Sequence, residues 1–253
     1  MNDMNALNRH DFERAERDAA LFSLIRAGET ARIREALNAG ANPNARERFG
    51  ATPLLAAVQN RRLDVVRLLV EAGANPDGPR RRNEEFTPLH TAAHRDNLDT
   101  VALLLELGAD ATRRTWLTPI DWAVSRPVIE ALVAAGGDPG ARCPKTANTP
   151  LHRRAGTAHF APMAALLDAG ADHSARDLLG RTPLHHVTLG NRRGDVAMAV
   201  ALLLGAGADP EARDEKGQTV LQLARSRRDG IALRALARAG IGRSPPKRAA
   251  LAA

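Results

Sequence analysis

The sequence has no tyrosine, and only two tryptophans and five phenylalanines occur among its 253 residues. A compact globular protein of this length usually builds its core around more aromatic rings. Ala, Leu and Val must fill the interior instead, which favours many thin layers of side chains over one thick core.

Cysteine occurs once, at Cys143, which excludes an intramolecular disulfide and a metal site built from cysteines. Long apolar runs are missing too, because residues 1–17 are polar and charged and no later run reaches membrane-spanning length. We therefore expect a soluble protein with no signal peptide and no membrane contact.

Lysine is also scarce, since only Lys145, Lys216 and Lys247 accompany 33 arginines. A GC-rich coding sequence accounts for this bias as readily as selection for arginine chemistry does. The net charge of +7 is for that reason a weak indication of nucleic-acid binding.

A four-residue phrase close to Thr-Pro-Leu-His recurs along the chain. It begins at Thr52, Thr87, Thr118, Thr149 and Thr182, with a degraded copy at Thr219. Successive threonines are 35, 31, 31, 33 and 37 residues apart. A second phrase, close to Ala-Gly-Ala-Asp, follows each of the first five copies and has an early copy at residues 39–42. Two phrases in register over this length indicate an internal repeat.

Each phrase has a physical role. Threonine accepts hydrogen bonds from the free N–H groups of a helix start, and proline suits the first helical position. Glycine in the second phrase ends a helix, because a left-handed residue costs least without a Cβ. Between the phrases of the first clear unit the spacing predicts two short helices, near residues 53–59 and 63–71.

A unit of about 33 residues with Thr-Pro-Leu-His-x-Ala resembles the ankyrin repeat family. The resemblance covers residues 12–242 and implies an all-α solenoid of stacked helix-turn-helix units with β-hairpin-like fingers. We expect an N-terminal arm, a single repeat domain and a disordered tail. These occupy 1–11, 12–242 and 243–253, with the domain divided into an N-cap (12–44), repeats near 45–77, 78–111, 112–140, 141–174 and 175–211, and a C-cap (212–242).

Two repeats depart from the common length. The third is short, and its deletion is expected between the helices at residues 125–127. The fifth is long, and its insertion is expected near residues 189–194, again between helices. Connections vary more than packed helices do, which favours a natural interaction protein over an idealised design.

The resemblance also implies that fingers and first helices line a concave face where partners bind. The fingers are expected near 46–51, 79–86, 112–117, 142–148, 176–181 and 213–218. Together they carry a formal net charge of +7, equal to that of the whole chain. This concentration predicts a partner protein with an acidic surface, which the positive charge would steer during association; the alternative is that these arginines are merely solvated.

Aromatic residues indicate where such a partner would bind. Phe49, Phe86 and Trp116 fall in three consecutive fingers, and Trp122 follows the third Thr-Pro phrase on the expected concave side. Since interface hot spots favour Trp and Arg, we predict a binding patch of these four rings with Arg48, Arg82, His94, Arg95, Arg113 and Arg114. The alternative is that the rings pack along neighbouring fingers and stiffen them.

The remaining chemistry is sparse. In the family, histidines placed like His90, His152 and His185 bond the backbone and the nearby threonine, so a structural role is expected here. The sequence lacks a phosphate-binding glycine loop, Gly-x-Ser-x-Gly and His-Glu-x-x-His. We therefore predict a non-enzymatic protein that uses no metal, cofactor or small-molecule substrate.

The leading hypothesis is a monomeric bacterial scaffold that binds another protein in the cytoplasm, with delivery into a host cell as the other location. The alternative function is nucleic-acid binding through the basic fingers, because clustered cations contact phosphates and rings stack on bases. Acidic residues interleaved in the same fingers, such as Glu84 and Asp214, argue against it.

Overall fold

The computed structural model describes residues 2–47, 50–78, 86–190 and 194–242, with side chains described from residue 13 onward. Fourteen helices and no β-strand occur within these ranges. The residues divide into two compact units, Met1–Asp138 (unit 1) and Pro139–Ala253 (unit 2). The all-α prediction is confirmed.

Unit 1 contains eight helices in two layers. Inner helices α1, α3, α5 and α7 pack in sequence against one another, and so do outer helices α2, α4, α6 and α8. The first helix begins at Asn2, so residues 2–11, which were expected to form an N-terminal arm, are the start of this helix. The helices are α1 (Asn2–Ala27), α2 (Thr30–Asn38), α3 (Pro53–Gln59), α4 (Leu63–Glu71), α5 (Pro88–His94), α6 (Leu98–Glu106), α7 (Pro119–Trp122) and α8 (Arg126–Ala134).

Unit 2 repeats this arrangement with six helices. Inner helices α9, α11 and α13 pack in sequence, as do outer helices α10, α12 and α14. The expected tail, 243–253, lies outside the described residues. The helices are α9 (Pro150–Thr157), α10 (Phe160–Asp168), α11 (Pro183–His186), α12 (Val196–Gly205), α13 (Val220–Ser226) and α14 (Gly230–Arg238).

The recurring phrases begin and end these helices as predicted. Thr149 is extended, its hydroxyl accepts from the backbone N–H of His152 at 3.4 Å, and Pro150 occupies the first turn. At the other end of a repeat, Gly73 has a φ of +94°, and the N–H of Ala74 bonds to the carbonyl of Leu69 at 2.9 Å. The threonine caps and glycine stops are therefore confirmed.

Small and aliphatic side chains make up the core, as the shortage of aromatics predicted. Leu89, Leu104, Ile120 and Leu132 are fully buried between the layers of unit 1. Phe22 is the one aromatic side chain in the buried core of the described residues. Each buried Leu or Ile contributes about 1.5–3 kcal/mol by leaving water, so stability accumulates layer by layer.

The short third repeat differs from expectation. The deletion was predicted at residues 125–127, but Ser125 directly precedes α8, and Arg126 and Pro127 lie in its first turn. The inner helix is shortened instead, since α7 has 4 residues whereas α5 has 7. The prediction is wrong because proline suits a first helical turn, so this segment starts a helix where a loop was expected.

The long fifth repeat places its insertion as predicted. α11 ends at His186 and α12 starts at Val196, and residues 191–193 of this connection lie outside the described residues. Gly190 lies directly on α9, because a Cβ there would come within 1.8 Å of the carbonyl oxygen of Gly156. The connection therefore packs on the preceding repeat at a point that only glycine can occupy.

Candidate protein-binding surface

Three rings of the predicted patch meet on unit 1. The rings of Phe86 and Trp122 have centroids 4.8 Å apart, and those of His94 and Trp122 are 5.3 Å apart, edge to face. Phe86 and His94 lie 6.4 Å apart. Phe86 precedes α5, His94 ends it and Trp122 ends α7, so the ring cluster joins two neighbouring repeats.

The short α7 explains the position of Trp122. Asp121 is buried, and its carboxylate accepts from the backbone N–H and the hydroxyl of Thr118 at 2.9 and 3.0 Å. This capping box fixes the single helical turn, and the backbone leaves the helix in an extended conformation at Ala123. Trp122 is consequently held at a helix end, half-buried between Phe86 and His94.

The indole N–H of Trp122 is a distinctive feature of the cluster. Its nitrogen is buried and has no hydrogen-bond partner in the structure, whereas a buried Trp N–H usually finds an acceptor. Because an unpaired buried donor costs about 1–3 kcal/mol, the packing of the three rings must offset this cost.

Trp116 lies in the finger before α7 and is 44% exposed. Its neighbour Arg113 is partly exposed and its neighbour Arg114 is exposed. An exposed tryptophan beside two accessible arginines has the composition of an interface hot spot. The finger 112–117 therefore presents the ring and the charges that the sequence predicted.

The other predicted arginines and Phe49 have mixed outcomes. Arg95 is exposed, and its guanidinium donates to the carbonyl oxygen of Gln59 at 3.3 Å, at the last turn of α3. A cation at a helix C-terminus is favourable, so Arg95 also links two inner helices. Arg48, Phe49 and Arg82 lie outside the described residues.

The phrase histidines have the structural role that was expected. Nδ1 of His152 accepts from the backbone N–H of Thr149 at 3.1 Å, so Nε2 carries the proton that is donated to the carbonyl oxygen of Arg181 at 3.0 Å. The same pair of bonds links His90 to Thr87 and Leu117, and His185 to Thr182 and Gln218.

Burial keeps these histidines neutral. It lowers the pKa of His152 from 6.5 to about 4, against the opposing effect of the Arg181 carbonyl. Burial also lowers the pKa of His90 and of His185. A neutral ring both accepts and donates, which is what the link between repeats requires.

The structure adds one feature that the sequence argument missed. His186, which follows the third phrase histidine, donates from Nε2 to Asp177 at 2.9 Å and lies edge to face with the ring of His152 at 4.9 Å. Asp177 belongs to the finger 176–181, whose Leu178 and Leu179 are 58% and 47% exposed. The one sequence feature that could have drawn attention to this finger is its pair of adjacent leucines among polar residues.

The described part of the chain holds no cluster of three or more His, Cys, Asp or Glu suited to a metal ion. No helix in this part is long and apolar enough to cross a membrane. Burial raises the pKa of the Cys143 thiol, but hydrogen bonds from Thr146, the Lys145 backbone and Arg153 outweigh it and leave that pKa lowered. The thiol is buried, away from solvent.

Comparisons with known proteins agree with this architecture. Family models described as ankyrin repeats match residues 18–115 (three copies) and 179–215. The ankyrin repeat domain of human ASB11 superposes with a TM-score of 0.72 and 25% identity, over 89% of this chain and 98% of that one. The ankyrin repeat domain of Bcl-3, of the IkappaB protein family, gives 0.70 and 26%, over 86% and 97%.

Short segments of larger proteins are also similar. The mitochondrial disaggregase of Bos taurus is 41% identical over 63 residues, which is 25% of this chain and 9% of that protein. The 2-5A-dependent ribonuclease of Mus musculus is 42% identical over 62 residues, 24% of this chain and 8% of that protein. The similarity thus spans less than a tenth of either relative's length. Two helix layers, capped repeats and these matches lead to one conclusion: the chain belongs to the ankyrin repeat family.

Proposed function

We propose that unit 1 holds a partner protein by an acidic part of the partner's surface, on the face formed by fingers and inner helices. The ring cluster of Phe86, His94 and Trp122 is the observation that carries this proposal. The ankyrin fold is a general protein-interaction module, and its members are typically non-enzymatic scaffolds. The proposed contact residues are Arg48, Phe49, Arg82, Phe86, His94, Arg95, Arg113, Arg114, Trp116 and Trp122.

The energetics favour Trp116 as the main anchor. Its side chain is 44% exposed and can lose further surface on binding, while aromatic anchors at an interface centre account for most of the affinity. Phe86 and Trp122 already pack together, so covering them costs little conformational entropy. The partner would therefore bind a preformed aromatic surface.

Charge supplies orientation and speed. Arg113 and Arg114 lie beside Trp116 in the same finger, and Arg95 projects from the end of α5. Cations at the rim of an interface act mainly on the association rate and are screened by salt. An acidic partner should consequently bind faster at low ionic strength.

The experiment starts from a partner purified with the full chain and identified by mass spectrometry, whose affinity is then measured with both proteins pure. Trp116→Ala should weaken binding by about tenfold or more, as expected for a hot-spot tryptophan. Phe160→Ala removes a ring of similar exposure, 42%, from α10 in unit 2 and is the matched control, expected to bind normally. Circular dichroism checks that both variants fold.

Two outcomes would oppose the proposal. Unchanged affinity of Trp116→Ala, or an association rate that does not respond to salt, would remove the aromatic anchor or the electrostatic steering. Binding to random single-stranded oligonucleotides with no protein partner would favour the nucleic-acid alternative, whose affinity falls steeply with salt.

A further inference from the structure

The fingers of unit 2 are joined by backbone hydrogen bonds into one ribbon, which comprises residues 142–148, 176–181 and 213–218. The N–H of Leu178 bonds to the carbonyl oxygen of Thr146 at 2.9 Å, and the carbonyl oxygen of Leu179 accepts from Glu215 at 3.0 Å. Both leucines therefore use their backbone to link the first and third fingers to the second.

The second finger is held from inside. One carboxylate oxygen of Asp177 accepts from the N–H groups of Leu179 and Arg181 at 2.8 and 2.9 Å, and the other accepts from Nε2 of His186 at 2.9 Å. The finger closes further through the N–H of Asp177, which bonds to the Arg181 carbonyl at 2.9 Å. The tip is therefore preorganised, and a ligand need not order it.

On this fixed tip the two leucine side chains extend into solvent, 58% and 47% exposed. A single exposed leucine on a protein surface is ordinary. Two adjacent exposed leucines on a hydrogen-bonded turn form a small apolar patch. These hydrogen bonds use only backbone groups of the leucines, so the finger would keep them with serine at both positions.

An arginine stands at the first position of each of the three fingers. The guanidinium of Arg142 donates to the carbonyl of Arg176. Arg176 donates to the carbonyls of Arg213 at 2.7 Å and Gly180 at 3.0 Å, and Arg213 to that of Gly217 at 2.8 Å. The acceptors of Arg176 and Arg213 are neutral carbonyls, so these bonds fix the two guanidiniums in place without cancelling their charge.

The acidic residues of the same ribbon are mostly turned inward. The side chains of Asp177 and Asp214 are only 6% and 1% exposed, whereas Lys145 and Lys216 are exposed, with Glu215 as the exposed acid. The solvent-facing side of the ribbon is therefore apolar at its centre and mainly cationic around it.

We propose that the unit 2 ribbon is a second docking surface, for an acidic segment of a partner protein that carries apolar side chains among its carboxylates. The apolar side chains cover Leu178 and Leu179, and the carboxylates face the fixed arginines, which is the complementary charge pattern. This surface lies on a different unit from the aromatic patch and binds independently of it.

The test uses a fluorescein-labelled 12-residue peptide of Asp and Glu alternating with Leu and Phe, titrated with the full chain. Two matched peptides replace either the acids by Gln or the apolar residues by Ser. Fluorescence anisotropy should show binding of the parent peptide, weakened by about tenfold in each matched peptide and by added salt.

Leu178→Ser/Leu179→Ser is the diagnostic variant, and it should weaken peptide binding by about tenfold. The matched control is Leu63→Ser/Leu98→Ser, at the starts of two outer helices of unit 1, where exposure is 37% and 40%; it should bind as wild type. Trp116→Ala should also bind the peptide normally, which separates this surface from the proposed function of unit 1.

Hydrogen exchange of residues 176–181 should slow when the peptide binds. Three results would overturn the proposal: no binding by the wild-type chain, equal binding by the leucine variant, or stronger binding of an oligonucleotide of equal charge than of the peptide. Circular dichroism of the leucine variant should match wild type, because exposed substitutions change stability by only about 0.5 kcal/mol.

Discussion

Replacing His152 by glutamine should make the protein less stable near neutral pH and more stable than wild type in mild acid. The variant keeps the helix cap, because the chain itself contains this arrangement: the side-chain oxygen of Gln222 accepts from the N–H of Thr219 at 2.9 Å. It loses the bond to the carbonyl oxygen of Arg181, which should cost about 1 kcal/mol at pH 7.5.

The magnitude in acid follows from burial of the imidazole. Burial lowers the pKa of His152 from 6.5 to about 4, so the unfolded chain binds a proton in a pH range where the folded chain does not. Stability from this group is complete above pH 6.5 and is lost as pH falls toward 4. By linkage the loss reaches about 2 kcal/mol at pH 5, and the two stability curves should cross between about pH 5.5 and 6.

Urea unfolding followed by circular dichroism at several pH values measures this difference. The buried His90 and His185 and the partly buried His186 also have lowered pKa values because of desolvation. Both proteins therefore weaken in acid, and only their difference isolates His152. Gln222→His is the control, because residue 222 is exposed and a histidine there should add little pH dependence.

A constant difference in the free energy of unfolding between wild type and His152→Gln, from pH 7.5 down to 5, would refute the reasoning. An advantage of wild type over His152→Gln that grows in acid would also refute it, because the folded state would then stabilise the imidazolium. In either case the buried ring would not be the neutral link described here.

Two further predictions concern the backbone. Gly190→Ala should lower the free energy of unfolding by about 3 kcal/mol, because its Cβ would lie 1.8 Å from the Gly156 oxygen. Gly156→Ala, where the nearest atom to the new Cβ is 3.6 Å away, should raise it by about 0.5–1 kcal/mol because alanine is a better helix former. Urea unfolding of both variants measures this, and equal effects would contradict the prediction. Arg61 has a φ of +56°, a conformation that favours glycine, so Arg61→Gly should raise the free energy of unfolding by about 0.5–1 kcal/mol. Arg62→Gly should lower it, because the 2.9 Å bond to the Gly28 carbonyl is lost. A lower melting temperature for Arg61→Gly would contradict the backbone strain inferred at this position.

Features written in local sequence were predictable. The threonine caps, the glycine stops and the bonds between each phrase histidine and its threonine join residues at most five apart, so the repeated phrases carry them directly. The sequence predicted only that Phe86 and Trp122 lie on the same face of the protein. Their ring separation of 4.8 Å depends on the shortened α7. That shortening was missed because Pro127 can end a loop or start a helix equally well.

The ribbon of unit 2 could not be predicted in the same way. Exposure of Leu178 depends on which backbone groups the neighbouring fingers offer, and the bond to Thr146 joins residues 32 positions apart in the chain. Likewise, burial of Asp177 turns a charge counted at the surface into an internal acceptor for His186. Formal charge summed along a finger therefore misrepresents the potential that a partner meets.

The positions of the two tryptophans make intrinsic fluorescence a probe of one surface of the protein. Both tryptophans, Trp116 and Trp122, lie in unit 1 at the proposed binding surface, and the sequence contains no tyrosine to add to their emission. Intrinsic fluorescence therefore reports on that surface and leaves the ribbon of unit 2 spectroscopically silent. A partner that shifts the emission spectrum occupies the aromatic patch, whereas one detected by calorimetry without an emission change binds elsewhere on the chain.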